Sequence, residues 1–111
     1  MAITKESIVT TLHDAYEEAD EAYYYATNNN APTGTLQTLK DAKQHAFLAY
    51  IRASKQALVH VTATTEAKVK ELRETTEQLK ADLKALKQVS EIVKTVAQIL
   101  ALIGIILTAF A

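Results

Sequence analysis

The last seventeen residues of the chain, Thr95 to Ala111 (TVAQILALIGIILTAFA), contain no charged side chain. As a helix this segment is about 26 Å long, close to the hydrocarbon thickness of a bilayer. Its exposure to water is unfavourable, because burial of each Leu or Ile side chain contributes roughly 1.5–3 kcal/mol. The segment is therefore predicted to enter a membrane, or to be buried by copies of the chain or by a partner.

The composition predicts an all-α fold. The 111 residues include only two Gly and one Pro, and Pro32 and Gly34 both fall in residues 28–34 (NNNAPTG). Residues that favour helices, mainly Ala, Leu, Lys, Glu and Gln, dominate elsewhere. Cys is absent, which excludes disulfide bonds. Basic residues are interspersed with acidic ones and form no basic-aromatic patch, so we expect no nucleic-acid partner.

Two heptad seams predict an antiparallel helical hairpin in residues 1–61, with its loop at 28–34. The first seam comprises Ile8, Leu12, Ala15, Ala19, Ala22 and Ala26, and the second comprises Leu39, Ala46, Tyr50, Ala53 and Ala57. Folding the chain at the loop pairs them at a constant residue-number sum of 65. Residues 1–31 have six acids and one base, whereas residues 32–111 have eleven bases and seven acids, and this asymmetry disfavours wrong pairings.

The stretch after Gly34 has no Gly or Pro for 69 residues. One lane of mostly apolar residues runs through it at seven-residue spacing: Ile51, Leu58, Thr65, Leu72, Leu79, Leu86, Val93, Leu100 and Leu107. The pattern predicts a long, coiled-coil-like helix from about Thr35 to near the C-terminus. In this arrangement residues 62–94 form a heptad stalk, residues 95–111 form the hydrophobic tail, and the chain cannot bury the stalk's leucines by itself. A homo-oligomer is then expected.

A turn near residues 59–65 is the alternative. Val59, Val61, Thr62, Thr64 and Thr65 are β-branched and poorly suited to a helix. A turn there predicts a compact bundle of three helices, at about 5–28, 35–60 and 66–94, followed by the hydrophobic tail. No capping box and no glycine marks such a turn.

The interface with a membrane or with other copies is predicted to use residues of the stalk and tail. They are Leu72, Leu79, Leu86, Val93, Ala97, Leu100, Gly104 and Leu107. Small residues such as Ala97 and Gly104 let helix backbones approach closely in lipid. Lys80, Lys84, Lys87 and Lys94 precede the tail at helical spacing and are predicted contacts for anionic headgroups, with a solvated helix face as the alternative.

No catalytic, phosphate-binding or metalloprotease motif is present. The acidic run at residues 17–21 lacks the Glu-x-x-His pairs of carboxylate-bridged metal sites. We expect no enzyme activity, cofactor, metal or small-molecule substrate. The leading hypothesis is a non-enzymatic, homo-oligomeric helical protein whose C-terminal helix inserts into a membrane, as an anchor or a pore, with the N-terminal part in the aqueous phase. The second is a soluble structural or assembly subunit that buries its tail against neighbouring subunits.

Overall fold

The computed structural model describes residues 3–111, which form an all-α fold. The four helices are α1 (Lys5–Asn28), α2 (Thr33–Lys55), α3 (Ala63–Lys84) and α4 (Val89–Leu107). The prediction of an all-α fold is confirmed.

The bundle consists of two antiparallel hairpins, α1–α2 and α3–α4, packed side by side. Tyr25 donates a hydrogen bond to the Lys87 carbonyl and Arg73 donates one to the Thr11 hydroxyl, so α1 and α3 run parallel. Among the described residues, α1 contacts all three other helices whereas α2 and α3 do not touch. The crossover that joins them, residues 56–62, therefore passes diagonally across one end of the bundle. The opposite end carries the two hairpin turns.

The first hairpin forms as predicted, but in a different register. The whole predicted seam of α1 is buried. On α2 the buried residues are Leu39, Ala42, Ala46, Ala49 and Ala53, while Tyr50 is half-buried and Ala57 lies exposed beyond the helix. The buried residues of α1 and α2 pair at a constant residue-number sum of 61, as in Ala15 with Ala46. The predicted sum of 65 is therefore wrong by one helical turn. The reason is the loop: α1 extends to Asn28 and α2 begins at Thr33, which leaves four residues between them.

The predicted continuous helix is wrong, because the chain turns twice. The first turn is at residues 56–62, where β-branched residues favour extended backbone. The alternative prediction of a turn is confirmed, although its position near residues 59–65 was about three residues too late. Thr62 then caps α3: its hydroxyl accepts from the Thr65 amide, and the Thr65 hydroxyl accepts from the Thr62 amide. The prediction that no capping box marks this turn is therefore wrong. This capping box has Thr where Glu or Gln is usual, so it lacks the usual sequence signature.

The second turn, residues 85–88, was not predicted. The Lys87 amide donates to the Asp82 carbonyl and the Leu86 amide donates to the Leu83 carbonyl. These bonds form a Schellman motif whose left-handed position is Leu86, at φ 55°. Glycine or asparagine usually occupies that position, and Asn30 does so at the end of α1. A leucine there gives no sequence signal for a helix end. The predicted third helix of 66–94 is therefore split between α3 and α4.

The turn at residues 85–88 folds α4 back along α3 and into the core. Seven apolar side chains of α4 are buried: Ile92, Val96, Ile99, Leu102, Ile103, Ile106 and Leu107. The facing surfaces of α1 and α2 are mostly alanine, so the large side chains of α4 pack over two closely spaced helices. The predicted stalk and tail are thus parts of one bundle with the hairpin.

Candidate membrane-facing helix surface

The inner and outer sides of α4 differ in side-chain size. The inner side carries the large residues of the core, whereas the outer side carries smaller uncharged ones. We define the α4 outer face as the exposed residues Ala97, Gln98, Ala101, Gly104, Ile105 and Thr108. Ile105, its largest apolar residue, is 42% exposed. No charged side chain follows Lys94, so the last three and a half turns of α4, roughly, present an exposed surface without charge.

The other three helices have charged outer surfaces. Exposed positions on α1 include Asp14 and Glu21, those on α2 include Lys40, and those on α3 include Lys70 and Glu74. A helix on the surface of a soluble bundle normally places charged residues opposite its buried face. The α4 outer face departs from that pattern.

One helix within residues 3–111, α4, is long and apolar enough to cross a membrane. Its 19 residues correspond to about 28 Å of helix. The core helix of a soluble protein has the same length and composition, and α4 also serves as a core helix here. The inner side of α4 packs in the core, and its outer side is uncharged and exposed after Lys94.

The predicted interface residues fall into three groups in the structure. Leu72, Leu79 and Leu107 lie in the core of the monomer, and Val93 and Leu100 are partly buried against it. Ala97 and Gly104 lie on the α4 outer face, and a Cβ added at Gly104 meets no atom within 4 Å. Leu86 is 76% exposed in the second turn. The expectation that the chain cannot bury the leucines of residues 62–94 is therefore wrong for Leu72 and Leu79.

The predicted lysine stripe is interrupted by the second turn. Lys80 and Lys84 lie on α3, Lys87 lies in the turn and Lys94 lies on α4, and all four are exposed. Lys80 and Lys84 also line a cleft against α1. All four stand at the end of the bundle where α4 begins, away from its charge-free C-terminal part.

Glu18 of α1 faces this lysine-lined cleft. Its burial raises the pKa of the carboxyl, and the charge of Lys80 acts in the opposite direction. Three neighbouring carboxylates, Glu21, Glu17 and Glu77, raise the pKa further. The acidic residues of α1 thus meet bases of α3 as well as those of α2.

The α1–α2 hairpin carries an aromatic cluster that the sequence analysis missed. The rings of His13 and Tyr50 lie 5.0 Å apart, and those of Tyr16 and Phe47 lie 5.2 Å apart. Next to it Lys43 pairs with Asp20 at 2.9 Å and lies 4.7 Å from the centre of the Tyr23 ring. The hydrogen bond to Asp20 raises the pKa of Lys43. The cluster depends on the register, which was wrong by one turn, so the sequence did not reveal it.

Two polar sites have the residue types of a binding site. His13, Asp14 and Glu17 bring ligand atoms within 4.8 Å of one another, but all three are surface residues and the His13–Glu17 contact of 2.9 Å is an ordinary i,i+4 pair. A groove between α1 and α3 is lined mainly by hydroxyl and carboxylate groups, and the Arg73 side chain donates to Thr11 within it. The Thr76 hydroxyl below the groove is buried without a hydrogen-bond partner. Neither arrangement resembles a catalytic constellation.

Comparisons with known proteins give no relative for this chain: no protein-family model, no curated protein and no solved structure matches it. Any functional assignment therefore depends on the physical properties of the surfaces described above.

Proposed function

We propose that the protein is a non-enzymatic, membrane-inserting helical bundle in which α4 is the membrane element. The observation that carries the proposal is the charge-free α4 outer face on a helix long enough to cross a bilayer. In the closed bundle the large apolar side chains of α4 face the core. In a membrane the same side chains face lipid, and the α4 outer face adds no charge that opposes transfer.

The apolar side chains of α4 have two competing environments, the core of the bundle and the hydrocarbon of a membrane. Leaving the bundle removes seven apolar side chains from the core, each worth roughly 1.5–3 kcal/mol. Hydrocarbon provides a comparable transfer free energy for these α4 groups. The core faces of α1, α2 and α3 that α4 covers also have to be buried again, in lipid or against one another. Ile105, exposed in the bundle, gains burial in the membrane. The membrane therefore has an apolar contribution that the closed bundle lacks.

The charges near the start of α4 suit a fixed orientation. Glu91 and Lys94 are the only charged residues of α4, and Lys84 and Lys87 precede it closely. Each lysine near an anionic membrane surface contributes about 1 kcal/mol of attraction. We infer that this end stays among the headgroups while the C-terminal end enters the hydrocarbon.

Self-association is the second part of the proposal. Once α4 is in lipid, the small residues Ala97, Ala101 and Gly104 offer a surface on which another helix packs closely. An anchor or a pore is consistent with such an assembly.

A soluble assembly subunit is the alternative, and the inward packing of α4 favours it. The helix is already the main source of large side chains in the core, with Ile92, Ile99, Ile103 and Ile106 all fully buried. On this alternative the α4 outer face packs against a neighbouring subunit in water.

The variant Ala101→Asp tests the proposal while leaving the bundle intact, because Ala101 is exposed near the middle of the charge-free segment. An aspartate at the centre of a membrane helix costs about 2.5–3.5 kcal/mol, so vesicle binding should fall roughly 100-fold. Ser90→Asp is the matched control, since Ser90 is exposed in the first turn of α4 and lies before that segment.

Flotation with vesicles of phosphatidylcholine and phosphatidylglycerol measures binding, and gel filtration without lipid measures the oligomer. We expect wild type and Ser90→Asp to float and Ala101→Asp to remain at the bottom. Equal behaviour of all three proteins contradicts the proposal. Loss of an oligomer of Ala101→Asp in plain buffer, with no flotation of the wild type, supports the soluble assembly instead.

A further inference from the structure

The C-terminal segment of the described chain is bonded to the crossover between the two hairpins. Ala57 and Ala111 exchange two backbone hydrogen bonds, of 3.2 and 3.0 Å, and the carbonyl of Ala109 accepts from the amides of Val59 and His60 at 2.8 and 3.1 Å. We call the contact between residues 57–60 and 109–111 the C-terminal clasp. The side chain of Phe110 is 4% exposed and anchors the clasp in the core.

The two ends of α4 are held in different ways. At its N-terminal end, the four-residue turn 85–88 joins α4 covalently to α3, and the Schellman bonds fix the geometry of that turn. At its C-terminal end, no short connection leads to another helix among the described residues. Among the described residues, the clasp and the packing of the core keep that end in the bundle.

We propose that the C-terminal clasp gates the release of α4, and that α4 leaves the bundle with its C-terminal end first. The inference deepens the membrane-insertion function proposed above and rests on it for its biological role. Opening the clasp frees the end of α4 that carries no charged side chain, while the end with Glu91 and Lys94 stays attached to α3. The end that is released first is thus the end that brings no charged side chain into hydrocarbon.

The clasp is also a small contact of the kind that can open locally. It contains four backbone hydrogen bonds that join segments about fifty residues apart. Its crossover side is a short segment in which Val59 is exposed. Local openings of this kind occur within the native state before global unfolding. Because every route that frees the C-terminal end of α4 breaks these bonds, clasp opening and α4 release are coupled.

A disulfide across the clasp provides the direct test. Ala57 and Ala111 are both exposed, and as a hydrogen-bonded antiparallel pair their Cα atoms are expected about 5.5 Å apart, within the range that a disulfide spans. The chain has no other Cys, so the double variant Ala57→Cys with Ala111→Cys forms one defined bond. The reduced form of the same protein is its control.

Amide hydrogen exchange in buffer measures the release of α4 without a membrane. In the reduced protein we expect α4 amides to exchange faster than those of α1 and α2. Oxidation should lower the ratio of α4 exchange to α2 exchange by about ten-fold or more, because partial opening is blocked and only global unfolding remains. An unchanged ratio overturns the proposal.

A pair of proline variants tests the same contact without a crosslink. Val59→Pro removes the amide that donates at 2.8 Å, whereas Val61→Pro alters a residue of similar exposure whose amide makes no bond to residues 109–111. Loss of one net hydrogen bond should speed α4 exchange roughly five-fold in Val59→Pro only. Faster exchange confined to the clasp residues themselves shows that the clasp opens without releasing α4, and overturns the proposal.

Flotation of the oxidised and reduced double variant separates this inference from the proposed function. If only the reduced form floats, both stand. If oxidation lowers the exchange ratio but neither form floats, the clasp gates α4 and the membrane function fails. If the oxidised form floats as well as the reduced one, α4 inserts without clasp opening and the gate is refuted, whereas the membrane function stands.

Discussion

The left-handed residue in the second turn leads to a prediction whose sign distinguishes two folds. Leu86 has φ 55° and is 76% exposed, so it contributes strain and little burial. The informative comparison is between Leu86→Ala and Leu86→Gly, because both variants lose the same exposed side chain. Only the glycine variant also loses the Cβ that makes the left-handed conformation unfavourable.

The expected magnitude follows from the backbone conformation. A residue with a Cβ in the left-handed conformation costs roughly 1–2 kcal/mol of folding free energy, and glycine removes this strain. The greater freedom of glycine in the unfolded chain offsets about 0.5–1 kcal/mol of that gain. Leu86→Gly should therefore be more stable than Leu86→Ala by about 0.5–1 kcal/mol. In a continuous helix through residue 86, glycine should instead be less stable than alanine by about 0.8–1.0 kcal/mol.

Urea denaturation followed by circular dichroism measures this difference. With a denaturant slope of about 2 kcal/mol per molar, the midpoint of Leu86→Gly should exceed that of Leu86→Ala by about 0.4 M. Ala85→Gly is the control, since Ala85 has φ −80° and gains nothing from glycine, so its midpoint should fall by a similar amount. A lower midpoint for Leu86→Gly than for Leu86→Ala would refute the turn and restore the long helix.

Two further predictions concern a partly buried carboxyl and an exposed glycine. Burial raises the pKa of Glu18, so the stabilising contribution of its protonated form is complete below the unfolded pKa and is lost as pH rises through the folded pKa. Glu18→Gln should therefore have a higher urea midpoint than the wild type at pH 7, and this advantage should disappear near pH 4. A difference that does not depend on pH would contradict this cause. Gly104→Leu should stabilise the monomer by about 1 kcal/mol, because the residue is helical with open space around it, yet weaken crosslinking between copies on vesicles. A thermal melt and crosslinking measure the two effects, and an unchanged oligomer would show that Gly104 faces away from any helix interface.

Local patterns in the sequence were sufficient to predict much of the first hairpin. The seam from Ile8 to Ala26 was identified correctly because α1 is amphipathic with a period close to 3.5 residues, and all six of its positions are buried. Its register with α2 was not predictable at the same accuracy. Seams of alanines match equally well after a shift of one turn, so the loop length decides, and that length depended on whether Thr33 and Gly34 belong to α2.

The candidate surface was only partly accessible from sequence. The absence of charge after Lys94 identified the segment, and spacing suggested which residues share a side of the helix. Which side faces the core depends on where α4 lies. Ala97 and Gly104 are exposed because Ile99, Ile103 and Ile106 pack inward, and this follows from the turn at Leu86.

The sequence by itself determined that this protein is helical and that its last helix is apolar, because helix propensity and charge are properties of the residues themselves. The tertiary structure decided that Leu72 and Leu79 are buried within one chain and that the long apolar run is folded back into a bundle. A heptad lane has the same period whether its helix is straight or broken, so the lane carries no information about a turn. At Leu86 the favourable burial of α4 outweighs the strain of one left-handed leucine.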